Sequence, residues 1–139
     1  MRTRTLLAGA IALLTASAAW AAQPIEGRWL TEDKDAVVTI APCGNSLCGK
    51  VTRFLKPPPQ GADQRDVNNP DPKLRQRKLL GLPVLSGFSE DGDLWRGRIY
   101  DPKSGKDYRS VVRRVNASTL EVKGCIGPFC QTQVWRAAR

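Results

Sequence analysis

Leu94-Trp95-Arg96-Gly97-Arg98-Ile99-Tyr100 is the stretch that decides the fold. Trp95, Gly97 and Ile99 share one side of a period-two pattern and Arg96 and Arg98 the other, the mark of a strand with one face on a core and one in water. Asp101-Pro102-Lys103-Ser104-Gly105 follows, with proline and glycine where a type I turn with an added glycine needs them. Lys106 to Val115 is then a long strand, Asn116-Ala117-Ser118 a turn, and Thr119 to Cys125 a strand. Ile126-Gly127-Pro128-Phe129 turns the chain again, and Cys130 to Arg136 closes it.

The same grammar holds upstream. Gly27 to Thr31 is a first strand, and Ala36-Val37-Val38-Thr39-Ile40-Ala41 is β-branched and forms a second. Pro42 is expected to end it, since proline cannot donate to a ladder. Gly44-Asn45 supplies a tight turn, and Cys48 to Leu55 returns as a third strand. Leu82 to Phe88 forms a fourth, turning at Glu90-Asp91-Gly92-Asp93. Eight strands joined mostly by short turns predict an all-β fold, an eight-stranded antiparallel up-and-down β-barrel, because closure removes unpaired edges. One long irregular connection, Lys56 to Lys78, interrupts the series. Loops of that length are usually functional or disordered, and the only helix expected is a turn or two over 71–77, with Asp71 as cap and Pro72 in the first turn.

The N-terminus bounds the compartment. Met1-Arg2-Thr3-Arg4-Thr5 is a basic head on the apolar run Leu6 to Leu14, and Ala19-Trp20-Ala21 has the small-x-small form of a cleavage site. The run falls short of the roughly 20 apolar residues that a spanning helix needs. Residues 1–21 are therefore expected to be a cleaved signal peptide, residues 22–139 a single domain, and the protein periplasmic or secreted, not integral to a membrane. With 22 Lys+Arg against 13 Asp+Glu the chain is basic. Outside the cytosol that charge faces envelope lipid, glycan or acidic protein rather than nucleic acid.

Four cysteines occur as two similar pairs, Cys43…Cys48 and Cys125…Cys130, each enclosing four residues. An oxidising compartment favours disulfides. No histidine is present to complete a common zinc site. Three connectivities exist. Local pairing across two hairpin tips is preferred here, each bond contributing at most about 2–3 kcal/mol. Thiol oxidoreductases use a two-residue spacer at a helix start, which neither pair has.

The motifs Gly97-x-Ile99-Tyr100-Asp101-Pro102-x-x-Gly105-Lys106-x-Tyr108 and Leu120-x-Val122-x-Gly124-Cys125-Ile126-Gly127-x-x-Cys130-x-x-Gln133-x-Trp135 resemble a family of small exported bacterial proteins known as domain of unknown function 2147. Gly27-x-Trp29, Cys48-Gly49, Asp66…Asn69-Pro70 and Leu74-Arg75 fit as well, so the resemblance spans the mature chain. It implies a calycin-like, lipocalin-type barrel. In that fold the tryptophan of a first-strand Gly-x-Trp plugs the closed end under a basic residue from a late strand. Trp29 would be the plug and Arg136 its cover, with Arg113 and Arg114 as alternatives.

Catalysis has little support in the residues: no histidine base, no serine elbow, and carboxylates (Asp66, Asp101, Asp107) that turns and loops explain. The chain is expected not to be an enzyme and to need no cofactor or metal. An eight-stranded barrel holds either a filled core or one small ligand. A ligand would be hydrophobic or amphipathic, lined by Trp95, Ile99, Tyr100, Tyr108 and Val122, with Asn69 and Arg75 at the rim. The competing reading is a module that binds protein, or an anionic envelope component through the basic 56–78 loop.

Overall fold

The computed structural model describes residues 9–16 and 20–139; residues 1–8 and 17–19 of the expected signal peptide lie outside the described residues. Eight antiparallel strands close in chain order into a barrel: β1 (Gly27–Leu30), β2 (Ala36–Cys43), β3 (Ser46–Phe54), β4 (Pro83–Asp91), β5 (Leu94–Asp101), β6 (Lys106–Asn116), β7 (Thr119–Ile126) and β8 (Phe129–Ala137). No described helix is long and apolar enough to cross a membrane.

Strand directions give the barrel two unlike ends. The hairpin turns β2–β3, β4–β5 and β6–β7 lie at one end, where the chain enters across the bottom. The β1–β2 turn, the long connection, the β5–β6 turn and the β7–β8 turn gather at the other. Cys43–Cys48 and Cys125–Cys130 are both bonded, so each end carries one stapled tip. β2 runs on through Pro42 to Cys43 instead of ending before the proline. The reason is that β1 begins opposite Ile40, so Pro42 lies beyond it on an edge that needs no donor on that side.

The expected alternation on β5 holds. Trp95, Gly97 and Ile99 pair with Val112, Ser110 and Tyr108, and Arg96 and Arg98 are exposed. Towards the closed end the interior is packed solid, with Trp29, Phe88, Leu85, Val112, Leu120 and Val122 all within 2% of full burial. Gly97 is there because Phe88 lies across it: an added Cβ would sit 2.6 Å from the Phe88 ring and from the Ser86 carbonyl. Gly97→Ala is accordingly expected to cost about 1–3 kcal/mol through overpacking. Guanidinium denaturation checks it, and Phe88→Leu in the same chain should restore part of the loss.

The closed end also revises the plug. Trp29 is buried, and its indole Nε1 donates to the Ile25 carbonyl at 2.9 Å. The residue over its ring is Arg114, with Cζ 5.2 Å from the centroid, not Arg136. Arg114 follows Tyr108, Ser110 and Val112 in inward parity at the bottom of β6, and its guanidinium donates to the carbonyls of Pro24, Asn116 and Ala117. Arg136 follows the inward Trp135 and so faces outward, bonding Thr119 Oγ1 at 2.7 Å.

β1 has four residues and β8 nine, and they pair only at Trp29–Ala137 and Leu30–Arg136. Above those pairs β8 is hydrogen-bonded on its β7 side alone, apart from the Val134 N–H, which donates to Glu32 Oε1.

Candidate functional site: the mouth of the barrel

A cavity of about 1080 Å³, open to solvent, takes in the mouth half of the interior and the space between the rim connections above it. Val38, Val51, Val84 and Ile99 form its apolar wall, Phe54 and Leu79 its upper edge, and Trp135 part of its floor. Tyr108, paired with Ile99 on the adjacent strand, continues the lining to Gly124 on β7 and to Gln131 and Gln133 on β8. The β7–β8 tip continues the inward register to Ile126 and Phe129, which line the entrance and are 68% and 81% exposed.

The long connection is ordered, and a buried carboxylate organises it. Asp66 is 1% exposed. It accepts from the Tyr100 hydroxyl at 2.6 Å, the Asn69 amide at 2.9 Å and Arg77 Nε at 2.9 Å, while its backbone N–H donates to the Arg77 carbonyl. Arg77 also stacks over the Tyr100 ring, 5.5 Å from the centroid. Burial, and then the bond to Asp66, push the Tyr100 phenol up to about 12. Around this hub the segment forms a small antiparallel return with a bridge between Arg65 and Lys78. It includes two 3-10 turns, Gly61–Asp63 and Pro72–Leu74, the second capped by Asp71 as its sequence suggests. Asn68 then lashes the connection to the β5–β6 turn, donating to the carbonyls of Pro102 and Lys103. Gly105 makes that contact possible, because a Cβ there would lie 1.9 Å from the Asn68 carbonyl oxygen.

At the rim, Lys103 bonds Asp35 at 3.0 Å and lies 3.9 Å from Asp33. Burial alone would raise Asp35, but the Thr31 hydroxyl and Lys103 outweigh it and hold the carboxyl below its usual range. The Asp35 bond and charge raise Lys103 in return. Among the described residues, no group of three His, Cys, Asp or Glu side chains is placed to hold a metal ion.

The expected ligand residues divide. Ile99, Tyr100 and Tyr108 line the cavity, Tyr108 on the inward register of Ile99 and Tyr100 one residue off it, reaching into the long connection. Trp95 does not line it: as the second residue of β5 it sits near the closed end, where its Nε1 donates to the Gln23 carbonyl. Val122 belongs to the packed half. Asn69 and Arg75 are consumed inside the connection, Arg75 Nε donating to the Asn69 carbonyl at 2.7 Å. Gln131, Gln133 and Gly124 were not among the expected lining residues. Their signal is the period-two run Gln131-x-Gln133-x-Trp135 in the last strand.

A model of a family described as uncharacterized protein conserved in bacteria, DUF2147, matches residues 27–137, the whole barrel. The chain belongs to the DUF2147 family. A solved structure similar to this DUF2147 barrel is described as protein HP1028 from the human pathogen Helicobacter pylori, belonging to the lipocalin family. The two share 21% identity with a TM-score of 0.73 over 84% of each chain, which establishes a lipocalin-like fold. No curated protein matches the chain.

Proposed function

We propose that this DUF2147 protein is an exported, non-catalytic carrier of a small hydrophobic or amphipathic molecule held in the mouth half of the barrel. The observation that carries the proposal is the cavity of about 1080 Å³, apolar on one wall and set in a lipocalin-like barrel. It lies just above the range typical of sites that enclose a small organic molecule, and it includes the open rim. Two disulfides in a bacterial family suit an oxidising compartment, and the leader ending at Ala21 would deliver residues 22–139 to it. The competing reading, an anionic envelope component held by the basic connection, has less to work with. Arg77 and Lys78 are ion-paired with Asp66 and Asp63, and Arg65 and Arg75 are held in place by the Gln76 and Asn69 carbonyls.

Native mass spectrometry of the protein purified from its own cell envelope tests the proposal. A discrete mass adduct released by solvent extraction is expected, and a preparation with none would overturn it. Gly124→Val supplies the matching variant. A Cβ at position 124 meets only Ile99 Cγ2 at 3.5 Å and Tyr108 Cβ at 3.9 Å, ordinary contacts, so the strand accepts it while the larger side chain fills the lumen. Affinity for the extracted molecule should fall at least about tenfold, which is about 1.4 kcal/mol, with the melting temperature nearly unchanged.

A further inference from the structure

We infer that the cavity takes an uncharged amphiphile, one whose polar part carries hydroxyl, ether, ester or amide groups rather than an ion, and that Gln131 and Gln133 recognise that part. The inference rests on the carrier reading and specifies its ligand.

The first observation is how polarity is distributed inside the lumen. The β2–β5 wall offers Val38, Val51, Val84 and Ile99. The β8 wall offers two amides two residues apart on the inward register, opposite Val122 and Gly124. A barrel built to hold plain hydrocarbon would place aliphatic side chains there, since polar groups covered by such a ligand lose water without a replacement partner. The Gln131 and Gln133 side chains are exposed within the cavity they line. Any occupant that covers them must therefore supply hydrogen-bonding groups.

The second observation fixes which way one amide is presented. The Trp135 indole Nε1 donates to Gln133 Oε1 at 2.9 Å. An indole N–H can only donate, so it turns the Gln133 oxygen towards Trp135 and leaves the –NH2, with one remaining lone pair of the oxygen, for a ligand. The –NH2 is a donor pair, suited to hydroxyl, ether or carbonyl oxygens. Gln131 adds both a donor and an acceptor, and Gly124 opposite it has no side chain to compete for the space. Tyr108 places a phenol on the neighbouring strand.

The third observation concerns charge. The charged residues lining the cavity sit at its rim: all belong to the connections except Asp101, the last residue of β5. Of the rim cations, Lys103 is ion-paired with Asp35 and Asp33, while Lys56 and Arg65 are held at the rim, away from the lumen, by the Asp33 and Gln76 carbonyls. An ionised headgroup drawn into the lumen would lose its water and find no counter-charge, the costliest form of burial. A neutral polar head meets amides that match it.

Calorimetry with three eight-carbon probes below their micelle concentrations tests this: octyl glucoside, octanoate and octyltrimethylammonium. The glucoside is expected to bind the wild-type protein at least about tenfold more tightly than either ion. Gln131→Leu with Gln133→Leu should remove that advantage, and Gln131→Lys should turn the preference towards octanoate. Circular dichroism checks that both variants keep the β spectrum, and either one alone suffices for the reading. An ion preferred by the wild-type protein overturns the inference, as does a glucoside preference that neither glutamine variant alters; both leave the carrier proposal intact. No binding of any probe, together with no adduct from the cell envelope, removes the carrier proposal and the inference with it.

Discussion

Trp29→Ala is expected to destabilise the protein by about 3–5 kcal/mol, the range for truncating a buried aromatic to alanine. Trp29 is 1% exposed and packs at the bottom of the core. The indole also fixes the entry of the chain through its bond to the Ile25 carbonyl, so its loss opens a cavity and frees the crossing segment together. Equilibrium unfolding in guanidinium measures the cost. Two companions locate its origin. Arg114→Ala should lose a cation–π contact of about 0.5–2 kcal/mol, plus the donors that serve three carbonyls. Arg136→Ala should change stability little, because its side chain lies on the outer face. A larger loss at Arg136 than at Arg114 would contradict the assignment of the cover.

The second large effect belongs to Asp66→Ala. The carboxylate receives three side-chain donors, and its own side chain is fully buried. Arg77 is 36% exposed, so once released it regains water and adds only modestly to the cost. The Tyr100 hydroxyl and the Asn69 amide are more enclosed, and stranding each costs about 1–3 kcal/mol. A total near 3 kcal/mol is expected. The effect should be concentrated in one region, with hydrogen exchange accelerating across 64–80 and little in the β6–β8 strands. Uniform acceleration over the whole barrel would show that Asp66 supports the global fold instead. Asp66→Asn should fall between, retaining an acceptor for Tyr100 while losing the charge that pairs with Arg77.

Strand number, order and closure were legible in the sequence because they rest on local signals. Period-two alternation from Leu94 to Tyr100, turn chemistry at Asp101–Gly105 and glycine at the hairpin tips each act within a few residues. The cover of Trp29 was within reach too: Trp135 and Arg136 are neighbours, so both cannot face inward, whereas Arg114 shares the parity of Val112. Depth was harder. Trp95, Ile99 and Val122 all face inward, yet only Ile99 reaches the cavity, because depth depends on where each strand begins along the barrel axis and how it tilts. The hub of the long connection was illegible for a different reason. Asp66 looks like an ordinary loop carboxylate until Tyr100, thirty-four residues away, is brought to it, and the two polar residues expected at the rim, Asn69 and Arg75, are spent building that connection.

The short first strand has a mechanical consequence. A fully zipped cylinder has a girth set by its strand number and stagger. This one is fastened along the β1–β8 seam at two residue pairs only. The upper length of β8, which carries both glutamines and the Phe129 tip, has no β1 rung and is held by β7 on one side and by the Val134–Glu32 bond on the other. The vessel is therefore laced all round at its base, while along one side of its lip a single side-chain clasp stands where a ladder would run.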